Sequence, residues 1–307
     1  MMRGMSFLRN LLSYLGVTGW VGPDGSEHVT RFGRLLRYCR ARSPRWFAGA
    51  AAVALSVVTL CLPSAYSTEW PGPTRDVLGT APTGGDGGES AVIDVTGVDT
   101  HKDSGRLLLV TISANGVPGY PVTNLEVVRA WFDPQSVVMP REVVVPAGQT
   151  GDEYREETAK EMTSSQDSAV KAAKRFLDGQ GVDVSDMKAS MHVDDIGGPS
   201  AGMMYALGLI DKVTPQQETG GETIAGTGTI DDEGKVGRIG GIRLKMIAAR
   251  RDGAAWFLAP KSNCDEVAGH VPDGLRDVSV STLDEAYKAL VAIGEGKGES
   301  LPRCAVK

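Results

Sequence analysis

Ser200 and Lys245 are the two side chains whose surroundings in this sequence best suit nucleophilic attack and proton transfer. The serine stands in Gly197-Gly198-Pro199-Ser200-Ala201-Gly202-Met203. Glycine at 198 lets the chain turn tightly, and Pro199 suits the first helical position, where its missing N–H costs nothing. The residues from Ala201 to Ile210 are apolar nearly all round, which predicts a buried helix. Free N–H groups at the start of that helix, with its dipole behind them, favour an oxyanion beside Ser200.

The lysine stands in Gly240-Gly241-Ile242-Arg243-Leu244-Lys245. In a helix from Ile242 to Arg251, Ile242, Met246 and Ala249 share a face at i, i+4 and i+7. Lys245 falls on the edge of that stripe, with Arg243, Arg250 and Arg251 on the other side. An edge lysine ordinarily snorkels to water. To act as a base it must be buried, its pKa falling from ~10.4 towards ~7–8, at about 3–5 kcal/mol. A neutral Lys245 can then accept the proton of Ser200. Each motif alone has an ordinary structural explanation; the ordered pair points to acyl transfer.

Other chemistries fit less well. Gly198-x-Ser200-x-Gly202 also matches the nucleophile elbow of an α/β-hydrolase esterase. His270 is the only histidine after it, Asp252, Asp265 and Glu266 are its candidate acid partners, and too few βα units precede Ser200 to build that sheet. The histidines His28, His101, His192 and His270 form no ligand-spaced cluster, so no metal is expected. No Gly-x-x-x-x-Gly-Lys-Ser/Thr phosphate loop occurs; Gly294 to Gly298 lacks the spacing, and Gly226-Thr227-Gly228 leads into a strand and turn. No cofactor and no ATP dependence are expected.

These residues must be positioned by a chain of 307 residues, 41% hydrophobic, enough for one sizeable domain and a smaller one. Its charge is asymmetric. Up to Arg45, eight arginines stand against Asp24 and Glu27, a net of +6, so the remainder carries −12 of the overall −6. Arg31, Arg34, Arg37, Arg40, Arg42 and Arg45 precede an uncharged run from Trp46 to Tyr66, about the length of a membrane-spanning helix. Basic residues on its N-terminal side predict a cytoplasmic N-terminus and contact with acidic lipid headgroups, with Trp46 and Tyr66 at the two interfaces. That topology accounts for the arginines without a nucleic-acid partner. A cleaved secretory signal is the competing view, but 45 residues precede the run and Pro63-Ser64-Ala65 is a poor cleavage site.

Beyond that run, residues 67–90 read as a Pro-, Gly- and Thr-rich linker, with disorder expected at 83–88. Residues 91–150 read as a small β-rich region whose strands 91–95 and 106–112 are joined by a turn ending at Gly105, with 142–145 as another short strand. A long helix is expected from Asp152 to Leu177, a hairpin around 231–234, a buried strand at 254–259 and a closing helix from Leu283 to Ile293. Strands and helices are intermixed, which makes the fold α/β or α+β. On this topology Cys39 lies inside, Cys61 in the membrane, and Cys264 and Cys304 outside, where disulfides persist; a Cys264–Cys304 bridge is expected.

Taken together, the chain from about Met162 to Leu290 resembles the proteolytic domain of the Lon family of Ser-Lys proteases. The likeness rests on Ser165-Gln166-Asp167-Ser168-Ala169, His192-Val193, the serine loop, Ala225-Gly226-Thr227-Gly228-Thr229-Ile230, Gly237 to Ile242 with Lys245, Ala248-Ala249-Arg250, and Pro260-Lys261-Ser262-Asn263. It implies Ser200 as nucleophile, Lys245 as general base, Thr227 as the hydroxyl orienting the lysine, and ring-like association of subunits. Many members carry Asp three residues before the serine; here that position is Gly197, with Asp194 and Asp195 nearby. The segment Pro71 to Leu78 is similar to the membrane-anchored extracytoplasmic Lon-like proteases of Gram-positive bacteria. Those relatives normally insert a PDZ domain, for which Asp178 to Asp186 is far too short. The resemblance thus implies an ATP-independent endopeptidase at residues 151–295, with a tail at 296–307, cleaving unfolded or flexible extracytoplasmic polypeptides. A catalytically silent membrane-tethered scaffold is the alternative.

Overall fold

The computed structural model describes residues 20–21, 27–28, 38, 42–82, 88–146, 148–192 and 198–305. The chain divides into two units, Met1–Leu62 and Pro63–Lys307.

In the first unit, Trp20–Val21 pairs antiparallel with Glu27–His28. Helix α1, Pro44–Cys61, starts where the Ser43 side chain accepts the Trp46 N–H, with proline in its first turn. It has no buried residue and is long and apolar enough to cross a membrane. The helix stops at Cys61, short of the expected Tyr66, and Pro63, which has no N–H to donate, follows its cap Leu62. Tyr66 instead opens a strand of the second unit. Arg31, Arg34, Arg37, Arg40 and Cys39 lie outside the described residues.

A six-stranded mixed sheet organises the second unit. Its strands are β1 (Tyr66–Asp76), β2 (Arg106–Asn115), β3 (Val137–Pro140), β4 (Thr223–Gly226), β5 (Trp256–Pro260) and β6 (Arg276–Val280). Their order is β6-β5-β4-β2-β1-β3. From β6 to β2 neighbours are parallel; β1 runs antiparallel to both β2 and β3. The longer helices are α2 (Asn124–Trp131), α3 (Gly151–Gly179), α4 (Gly202–Val213), α5 (Ile242–Arg251) and α6 (Leu283–Gly294). A capping box between Thr150 and Glu153 starts the long α3.

Strand β2 explains the layering. Leu107 and Leu109 face one apolar core with the α4 side chains, while Leu108 and Val110 face a second core with Ile242, Met246 and Ala249 of α5. Alternate side chains of a strand point to opposite faces, so a continuous apolar run requires both faces covered.

Three expectations are corrected here. Residues 67–90 are not a linker: most of β1 lies within them, with Ser67 and Thr68 fully buried, and Thr80–Pro82 pairs with Glu89–Ala91. The composition misleads because the β1–β2 register shifts between Pro71 and Thr74, which places Gly72 and Pro73 in an irregularity of the ladder. Residues 83–87, the core of the expected disordered stretch, lie outside the described residues. Nor is 91–150 a separate β-rich region. Ile93–Thr96 pairs with Lys188–Met191, and β2 is central in the main sheet, so the expected hairpin between the two does not form. Residues 142–144 fall in a one-turn helix, Arg141–Val144, capped by Val145, and the strand is the preceding β3.

The C-terminal segment is held to β6. Cys264 and Cys304 are joined as a disulfide. Beside it, buried Asp277 accepts from Arg303 Nε at 2.8 Å and from the Cys304 N–H at 2.7 Å.

Candidate active site

Ser200 lies in a 3-10 turn, Pro199–Ala201, that runs directly into α4. Gly198 precedes it at φ 89°, a backbone region that side chains with a Cβ seldom adopt. The turn is tied down from three sides. The Ser200 carbonyl accepts the Gly228 N–H at 2.8 Å and the Thr227 hydroxyl at 3.0 Å. The Met203 N–H donates to the Gly228 carbonyl at 3.0 Å, and Ser165 Oγ on α3 donates to the Pro199 carbonyl at 3.0 Å. A Cβ on Gly202 would stand 2.8 Å from Ser165 Oγ and 3.2 Å from the Ile230 nitrogen. Glycine is what allows this close approach.

Lys245 reaches the serine from α5. The α5 register is the one its apolar spacing predicts, with Ile242, Met246 and Ala249 in the core and Arg243, Arg250 and Arg251 exposed. Lys245 does not snorkel; it is 3% exposed. Its Nζ lies 2.8 Å from Ser200 Oγ and 3.4 Å from Thr227 Oγ1. Burial, by disfavouring the charged form, lowers the ammonium pKa to about 8, and the charge of Glu69 pulls the other way. Because the Thr227 proton points to the Ser200 carbonyl, its oxygen is left to accept from Lys245. The same hydroxyl therefore orients both members of the pair.

Glu69 is the member of the site that the sequence did not disclose. It sits on β1, only 8% exposed, in the stretch expected as a linker. Burial pushes its carboxyl up, and Lys245 draws it back down. Its Oε2 lies 3.7 Å from where a Cβ on Gly241 would stand, at the N-terminus of α5, where the helix dipole favours an anion. No apolar alternation marks Ser67-Thr68-Glu69 as a buried strand, so pattern alone carried no signal for it.

Gly198, Pro199 and Gly202 thus shape the turn that carries Ser200, and Thr227 touches both Ser200 and Lys245. His192 is exposed, with its Nε2 3.2 Å from Ser190 Oγ, and its N–H donates to the Val92 carbonyl. Val193, Asp194, Asp195 and Gly197 lie outside the described residues. A groove of about 380 Å³ is lined by Glu161, Ser165 and Ser168 of α3, by Ile230 and by Pro199, the residue before the serine.

Sheet, helices and site define a mixed α/β protein that presents a buried lysine amine to a serine hydroxyl at the start of one helix. The chain belongs to the Lon protease (S16) C-terminal proteolytic domain family, whose model matches residues 136–292. It is 35% identical over 108 residues to a mitochondrial Lon protease homolog of Eremothecium gossypii, covering 34% of this chain and 10% of that protein. Against a Lon protease of Clostridioides difficile it is 37% identical over 102 residues, covering 32% of this chain and 13% of that protein. A mitochondrial Lon protease homolog of Candida glabrata is 38% identical over 101 residues, with 30% and 9% covered. The chain thus spans about a tenth of the length of the curated relatives it matches. The family match begins after β1 and β2, so Glu69 stands outside it.

Proposed function

We propose that this chain is a serine endopeptidase in which Ser200 attacks the peptide carbonyl and Lys245 is the general base. The observation that carries the reading is the 2.8 Å separation between Ser200 Oγ and the amine of a lysine that is 3% exposed. With a pKa lowered to about 8, a useful fraction of Lys245 is neutral near physiological pH and accepts the serine proton. The lysine then delivers that proton to the leaving amine. The Ser200 N–H and its neighbours near Gly198 supply the donors for the tetrahedral oxyanion. Thr227 holds Lys245 on the serine, and an extended peptide occupies the groove beside Pro199.

In this reading the protease is anchored by α1 as a single membrane pass, its N-terminus cytoplasmic and the unit from Pro63 onward extracytoplasmic. Substrates are unfolded or flexible polypeptides, and the family likeness suggests a homo-oligomer. Hydrolysis by these residues proceeds without ATP, as they include no phosphate loop. An extracytoplasmic location suits the Cys264–Cys304 bridge, which a non-reduced digest should yield as one linked peptide.

The test is cleavage of a chemically unfolded protein by the full chain in mild detergent, without ATP. Wild type should cut it, and Ser200→Ala should not. No cleavage by folded wild type would favour the scaffold alternative.

A further inference from the structure

The far end of α4 holds a second group of titratable side chains. Asp211 lies in the last turn of that helix, Glu218 in the loop after it, and Asp103 in the turn before β2. One oxygen from each lies within 4.8 Å of the other two. Asp211 and Glu218 are each 2% exposed.

Their surroundings satisfy these carboxylates only in part. Asp103 accepts the Thr219 N–H at 2.9 Å, the Gly105 N–H at 3.0 Å and the Thr219 hydroxyl. Glu218 Oε1 accepts the hydroxyls of Thr214 and Tyr287. Asp211 is different. Among the described residues, no donor reaches either of its oxygens, and none reaches Glu218 Oε2. Its chain neighbour Lys212 attracts it electrostatically. Buried acceptors without a donor are rare in folded proteins, and each calls for a physical explanation.

A single proton shared by Asp211 and Asp103 answers one of the three bare oxygens. A cation takes one oxygen from each of the three side chains and so engages both buried carboxylates at once. Carboxylate oxygens bind calcium at about 2.3–2.6 Å, so ligands of one calcium ion stand at most about 5 Å apart. Magnesium, at about 2.1 Å, requires a tighter set. The absence of sulfur and imidazole from the cluster disfavours zinc and copper.

We propose that Asp103, Asp211 and Glu218 bind a calcium ion. The ion ties the end of the serine-bearing helix to the turn before β2 and to the loop leading into β4. The site shares no residue with the Ser200–Lys245 pair and stands whether or not that pair is catalytic.

The test uses the full chain in mild detergent, stripped with EDTA and titrated with calcium chloride by calorimetry and thermal melting. One ion should bind per chain, and melting should rise by about 5–10 °C at an ion concentration a hundred times Kd. Asp211→Asn and, separately, Glu218→Gln should abolish the binding and the shift. In EDTA, Asp211→Asn should melt no lower than wild type, because without the ion burial already favours the neutral carboxyl and the amide replaces one neutral polar group with another. Absence of stoichiometric binding by stripped wild type would overturn the proposal. So would calcium uptake that survives in both variants, which would place the ion elsewhere.

Discussion

Helix α4 has a buried titratable cluster at each end, and the two are satisfied in different ways. At its start, Lys245, Thr227 and Ser200 use one another's donors and acceptors, and Glu69 supplies the opposing charge. At its end, Asp211 is surrounded by further carboxylates and no described donor reaches its oxygens. Burial acts on both, but in opposite directions. It drives the lysine towards its neutral form at about 8 and, with Asp103 adding to the effect, pushes Asp211 up to about 9. Desolvation disfavours any charge; the chemistry that results depends on which groups lie within hydrogen-bond reach.

The strongest way to break this comparison is to remove the serine. Ser200→Ala should cost about 10⁴–10⁶-fold in peptide-bond turnover, measured on an unfolded substrate. Residual turnover near wild type would remove Ser200 from the chemistry. Lys245→Arg keeps the charge but cannot accept a proton, and should cost at least about 10²–10⁴-fold. Activity of wild type should also climb with pH through about 8, as Lys245 loses its proton. A flat profile between about pH 6 and about pH 9.5 would contradict the base assignment.

Thr227→Val is expected to cost less. It removes the hydroxyl that links Lys245 to the Ser200 carbonyl while keeping the side-chain volume, and about a 10–100-fold loss in kcat is expected. An unchanged kcat would reduce Thr227 to a packing role.

The stability test sharpens the same contrast. Lys245 has a lowered folded-state pKa, so the native protein holds fewer protons than the unfolded chain between about 8 and 10.5. Its burial therefore destabilises most at low pH, and that penalty fades as pH rises through this window. Lys245→Met should stabilise the fold at pH 7 by up to about 3 kcal/mol and should flatten the pH dependence. A lower melting temperature for that variant would show that the amine contributes more through its hydrogen bonds than burial takes away.

The smallest effect is expected at Glu69. Its charge raises the Lys245 pKa, so Glu69→Gln should move the rising limb of the pH–rate profile to lower pH. A shift to higher pH would reverse the assigned sign.

Much of the Ser200–Lys245 end was legible in the residues themselves. Local backbone rules place Ser200 behind Gly198 and Pro199 at a helix start, and helical periodicity puts Lys245 at the edge of the stripe formed by Ile242, Met246 and Ala249. Those patterns depend on neighbours within two helical turns, and the chain alone determines them. The same local logic was misleading for β1. Pro71, Gly72 and Pro73 have the composition of a linker, yet the strand pairs with β2 on either side of them because the register shift accommodates them.

Only the tertiary structure decided what lies across the chain from each site. The burial of Glu69, and its position beside the start of α5, depend on β1 inserting between β2 and β3. Whether Lys245 snorkels or turns inward is likewise set by the strands packed over α5, not by its place in the helix. Asp103, Asp211 and Glu218 have no ligand-like spacing in sequence, and the fold alone brings them together. Sequence determines short-range geometry through steric and periodic rules, whereas solvent exclusion is a property of the whole packed chain. The charges in both clusters depend on that exclusion.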